Sequence, residues 1–126
     1  VSAGGGGVGV GPWVARRLGW ERRDDHWLWV GGPVPPGSDA ITVGSVISVR
    51  RPYASDARLL RHEEEHVRQW RDLGVRRFLR IYLGSYLAWR WRGFGHRAAY
   101  RLIPLEVEAE EAARRSLADR RTPPLH

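Results

Sequence analysis

His62 and His66 stand four residues apart, with Glu63 directly after the first, in the run His62-Glu63-Glu64-Glu65-His66. On an α-helix, side chains four apart lie one above the other. Their ring nitrogens can then take two adjacent corners of a zinc tetrahedron. Glu63 falls about 100° round from His62, so it can face a zinc-held water without itself ligating the metal. Zinc lowers the pKa of such a water to about 7, and a neighbouring glutamate can take its proton. These residue types at this spacing imply zinc-assisted hydrolysis with Glu63 as general base. Chance produces the pattern in roughly one chain of this composition in a hundred, so its setting decides its meaning.

That setting is a helix. Ser55 or Asp56 can cap its start, and Gly74 can close it. Leu59, His62, Glu63, His66, Val67, Trp70 and Leu73 share one face at helical spacing. The two histidines and Glu63 therefore fall on the apolar stripe. Burying three polar groups there is costly unless something satisfies them, and a metal with its water would do so. Glu64 stands four before Arg68, and Arg61 four before Glu65, so both acids read as solvated helix pairs. His26, after Asp24-Asp25, is a further possible metal donor, but it reads as a lone surface residue.

A catalytic zinc site takes three protein ligands and keeps one position open. No third histidine follows His66 at the short His-x-x-Gly-x-x-His spacing. The last helix, starting near Pro104, offers Glu106, Glu108, Glu110 and Glu111. Glu106 lies beside the face of Leu102, Leu105 and Ala109 and reads as the third ligand; an ordinary acid at a helix N-terminus is the alternative. Glu108 points about 200° away from Glu106, toward solvent. Glu111 stands four before Arg115 and reads as a surface pair. Glu110 shares Glu106's face one turn on. It either accepts the second ring N–H of a zinc histidine or pairs with Arg114.

Around these helices the chain reads as follows. Residues 1–12 form a flexible Gly-rich lead and residues 120–126 a tail. Leu18 to Trp20 and Trp27 to Val30 read as short strands. Gly31 to Gly37 reads as a loop, from its Gly-Gly and Pro-Pro pairs. Ile41 to Val49 reads as one strand, with Ile41, Val43, Ile47 and Val49 on its buried face and Thr42 and Ser48 on the other. A second helix is predicted from Val75 to Trp91, with Phe78, Tyr82, Tyr86 and Trp89 as its stripe, and Gly93 to Gly95 break it. The fold class is α+β: a short N-terminal β-sheet followed by about three helices.

The 126 residues suit one domain. With no cysteine, disulfides, thiolate zinc clusters and cysteine nucleophiles are excluded. No apolar run reaches the ~18 residues of a membrane span. The start carries no basic leader, and this, with the absence of cysteine, fits a cytoplasmic location. The net charge is +7, and all 21 basic residues are arginine. That set reads first as the imprint of a GC-rich genome. Arg77, Arg80, Arg90 and Arg92 flank the aromatic second helix, which leaves open an anionic membrane face or nucleic acid as a partner. No reading module is visible, so specific nucleic-acid binding is not expected.

The run His62-Glu63-x-x-His66, continued as Val67-x-Gln69-Trp70, and the later Pro104-Leu105-Glu106-Val107-Glu108-Ala109 resemble zinc metallopeptidases of the gluzincin kind. The chain is also similar to small bacterial metallopeptidase-like domains. Those combine a strand of the Ile41-Thr42-Val43-Gly44 type, a Leu60-x-His62-Glu63 helix, a Tyr-rich helix and a proline-preceded glutamate helix. The likeness runs from about Ile41 to Ala113. It implies a minimal zincin-like domain over residues 13–119, a Zn²⁺ cofactor ligated by His62, His66 and Glu106, Glu63 as general base, and a peptide or protein substrate. Larger relatives place an Asp four residues after the ligand glutamate; here that position is Glu110. They also stabilise the oxyanion from a further domain. Within this chain His96 and Tyr100, with Tyr82 and Tyr86, are the candidates for that role. The expected function is zinc-dependent hydrolysis of peptide bonds. The alternative is a zinc-binding, metallopeptidase-like interaction module with little or no proteolytic activity.

Overall fold

The computed structural model describes residues 18–121. The Gly-rich lead assigned to residues 1–12 lies outside them, as do residues 122–126 of the assigned tail. The architecture is α+β, a four-stranded sheet followed by four helices. Strands β1 (Trp20–Arg22), β2 (Trp27–Val30), β3 (Ala40–Val43) and β4 (Val46–Val49) lie in the spatial order β1-β2-β4-β3. The central β2–β4 pair is parallel, and the outer two pairs are antiparallel. A single 3-10 turn, Arg51–Tyr53, leads into helix α1 (Ala57–Leu73). Helices α2 (Val75–Trp91), α3 (His96–Arg101) and α4 (Pro104–Arg121) follow.

The segment from Ile41 to Val49 is not one strand. Gly44 has φ +61°, and the chain reverses there, making β3 and β4 a hairpin. Thr42 pairs with Ile47, so these two share a face, while Ile41 pairs with Ser48 and Val43 with Val46 on the other. The two-residue turn shifts the alternation that a continuous strand would keep. Thr42 is therefore buried on the helix side, and Val43 is 60% exposed. Strand β1 also starts two residues later than Leu18.

Helix α1 lies on the sheet. Leu28, Ile47, Val49 and Val67 form the buried centre of that layer, with Leu59 and Leu60 packed against it. The carboxylate of Asp56 caps α1 by accepting the Leu59 N–H at 3.0 Å, and Gly74 at φ +78° ends it. A second core joins the helices: Phe78, Ile103 and Leu105, flanked by Trp70, Leu73, Tyr82 and Tyr86. The α1–α4 contact is the broadest between helices. Ala109, Ala112 and Ala113 are buried along it, and side chains this small let two helix backbones approach closely.

The short helix α3 was not foreseen. Gly93 and Gly95 on one side and Pro104 on the other leave room for barely two turns, too short for a periodic pattern to register. Helix α4 continues to Arg121, into the stretch assigned to the tail.

A Cβ built at Gly44 meets no atom within 4 Å, so a substitution there reports backbone strain alone. Gly44→Ala should destabilise the fold by about 1–2 kcal/mol, the cost of holding an L-residue in the left-handed region. Urea unfolding measures it. An unchanged midpoint would mean the β3–β4 reversal does not need that conformation.

Candidate functional site

Helix α1 presents His62 and His66 on one face, their rings 5.1 Å apart between centroids. Helix α4 begins at Pro104, which puts Glu106 in its first turn and directly opposite them. Glu106 Oε1 lies 3.0 Å from His62 Nε2, and Oε2 lies 3.1 Å from His66 Nε2. Donor atoms of the three residues fall within 4.8 Å of one another. In a tetrahedral zinc site with bonds of about 2.0–2.1 Å, neighbouring donors stand roughly 3.3 Å apart. The spacing fits.

The orientation of His66 is fixed from behind. Gln69 is buried, and its Nε2 donates to the carbonyl of Leu105 at 2.9 Å. A carbonyl only accepts, so the amide oxygen must face the other way, 2.8 Å from His66 Nδ1. His66 Nδ1 therefore carries a proton, which leaves Nε2 as the ring atom able to ligate a metal. That Nε2 is buried without a hydrogen-bond partner, despite its closeness to Glu106. An orphaned buried nitrogen aimed at a carboxylate and a second imidazole matches what a metal ion requires.

His62 is arranged in the same sense. Its Nδ1 lies 3.4 Å from Glu110 Oε2. Glu110 also pairs with Arg58 rather than with Arg114. Tyr82, on α2, donates its hydroxyl to Glu106 Oε2. It was an oxyanion candidate in the sequence; the fold uses it to hold the carboxylate. Burial alone would raise the Glu106 pKa. The contacts with His62, His66 and Tyr82 outweigh burial and hold it well below the ordinary carboxylate range. Burial likewise pulls His66 down, but contact with Glu106 and the charge of Glu63 leave it raised.

Glu63 is buried one step round the helix, and the Thr42 hydroxyl of β3 donates to its Oε1 at 2.7 Å. Burial pushes its pKa up, against the charges of His66 and His62 and the bond from Thr42. A buried carboxylate of raised basicity beside two imidazoles is placed to accept a proton.

The other candidates distribute unequally. Tyr100 stands 6.5 Å from Tyr82 between ring centroids; it is 41% exposed, and desolvation of its hydroxyl with the charge of Glu106 raises its pKa. His96 is exposed and bound to the Tyr86 hydroxyl at 2.9 Å, so neither joins the group around Glu106. His26 is not a surface residue: it is buried, with Nδ1 2.7 Å from Asp25 Oδ1. Glu65 is buried too, gripped by Arg68 as well as Arg61. Arg68 turns to Glu65 and Asp72 instead of Glu64. Glu108 is exposed as expected, and the Glu111–Arg115 pair forms at 3.7 Å.

Gln69 and Thr42 were missed as functional residues. Gln69 follows His66 by three, within helical reach, and that spacing was the available signal. Thr42 gave none, since its role depends on a hairpin the alternation concealed.

Comparison with known protein families, characterised proteins and solved structures finds no match. A fold does not by itself carry a function, so the chemistry of this site is what remains to reason from.

Gln69→Leu should cost about 1–3 kcal/mol in metal-free protein, because it leaves the His66 Nδ1–H without its acceptor in the interior. Denaturation in the presence of a chelator measures this. A neutral result would show that water replaces the amide and that Gln69 does not fix the ring.

Proposed function

We propose that this chain is a small zinc-dependent peptidase of gluzincin type. One observation carries the reading: ligating atoms of two imidazoles and of a carboxylate from a different helix meet within 4.8 Å, with His66 Nε2 buried and unpartnered. His62, His66 and Glu106 would hold the ion. Zinc bound there would supply a Lewis acid for a scissile carbonyl and lower the pKa of water to about 7.

The chain's own residues account for the rest. Glu63 takes a proton from the attacking water and passes it to the leaving amine. Thr42 anchors one carboxylate oxygen of Glu63 and leaves the other for that exchange. Gln69 holds the outer nitrogen of His66, Glu110 stands 3.4 Å from that of His62, and Tyr82 holds Glu106. Tyr100, protonated and beside the same carboxylate, is the group we assign to the developing oxyanion.

Strand β3 is an edge strand, and it carries Thr42 to Glu63. An extended peptide hydrogen-bonded along that edge would pass close to the general base. The substrate class is therefore a peptide or an unfolded protein segment held by its backbone.

Purified protein should contain one zinc ion per chain by elemental analysis, and His66→Ala should lose it. Glu63→Gln should keep the zinc while hydrolysis of a mixed peptide library falls by about 10²–10⁴-fold. Absence of stoichiometric zinc overturns the whole reading. Zinc retained with no hydrolysis by the wild type, under chelator control, would leave the metal site and favour a metallopeptidase-like binding module instead.

A further inference from the structure

Helix α2 has two faces, and only one is used by the site. Phe78 and Tyr82 turn inward to the core and to Glu106. Val75, Leu79, Leu83, Leu87 and Trp91 recur every four residues as an outward row, and all are exposed. From Leu79 onward the exposure grows toward the end of the helix, from 40% there to 91% at Trp91. Arg76 and Arg80 run in the adjacent row, and Arg90 lies on the other side of it. Phe94, just past the helix end, adds another exposed ring.

The charge around this row is one-sided. Between Asp72 and Glu106 the sequence holds seven arginines and no acid. These arginines lie on α2, its end and α3, and every one is exposed. That segment alone matches the +7 of the entire chain.

We infer that the outer face of α2 binds the surface of an anionic lipid bilayer, with Leu83, Leu87 and Trp91 entering the headgroup boundary and the surrounding arginines meeting lipid phosphates. No helix among the described residues is long and apolar enough to cross a membrane, so the contact lies in the plane of the surface. A row of leucines ending in a tryptophan and bordered by arginine is the composition such interfacial helices use. Nucleic acid would engage the arginines but gives no reason for four aliphatic side chains in the open. A second copy docked on the same face would set seven arginines against seven with no acid among them. The inference does not depend on zinc.

Sedimentation of the full chain with vesicles tests it. Equal parts phosphatidylglycerol and phosphatidylcholine should pellet the protein, and pure phosphatidylcholine should do so at least about tenfold less. Leu87→Gln with Trp91→Gln, and separately Arg76→Gln with Arg80→Gln, should each weaken binding about tenfold or more, with far-UV circular dichroism unchanged. All four side chains point to solvent, so the fold should survive. Equal binding to neutral vesicles, or binding untouched by both double variants, overturns the inference. So does tight binding to duplex DNA that ignores the apolar pair. A dimer in sedimentation velocity that Leu87→Gln with Trp91→Gln dissolves would assign the face to a second copy.

Discussion

The molecule is organised around the cost of placing titratable groups out of water on the inner face of α1. Glu63 and His66 are buried there, and His62 is nearly so, with Glu106 opposite them from α4. Each charge removed from water costs several kcal/mol unless partners replace its hydration. Every neighbouring element contributes at least one such partner. The sheet gives Thr42, α1 itself gives Gln69, α2 gives Tyr82, and α4 gives Glu106 and Glu110. The fold around α1 is in that sense a set of supports for four side chains.

Close approach of α1 and α4 is what makes those supports meet. The alanines at 109, 112 and 113 remove the bulk that would keep the two helices apart. Pro104 fixes where α4 begins, and Glu106 follows in its first turn, where peptide dipoles favour a carboxylate. Glu110, one turn on, meets both His62 and Arg58 across the same interface. A bulkier residue at 109 would have no room, since Ala109 is fully buried within one turn of both carboxylates.

Local geometry was legible in the sequence, and tertiary geometry was not. The spacing of His62 and His66 states a helical relation within one turn, so it survives without knowledge of the fold. The boundaries of α1 and α2 were readable for the same reason, through Asp56, Gly74 and Gly93. Glu106 was readable only through its place on a helix face and through resemblance. Thr42 was lost because Ile41 and Val43 stay in alternation with Ile47 and Val49 across a turn, so the pattern conceals the reversal at Gly44. Tyr82, Tyr100 and His96 looked equivalent as candidates, since nothing in one dimension tells which aromatic faces the carboxylate. Burial of Glu65 and His26 was hidden likewise: a carboxylate or imidazole among charged residues looks solvated until the partners' positions are known.

The arginines show where composition misleads. An all-arginine basic set does fit a codon bias, and a codon bias explains why a basic residue is Arg rather than Lys. It does not explain where acids are missing. Acids are dense on α1 and α4, where Glu65, Glu110 and Glu111 each meet an arginine. They vanish from Leu73 to Leu105, the stretch that bears the exposed leucine row. Their absence from this surface, together with the apolar groups exposed there, is what the proposed lipid contact accounts for, and α2 is the helix whose other face holds Glu106. What binds the outer face therefore bears on the same rigid element that positions the inner one.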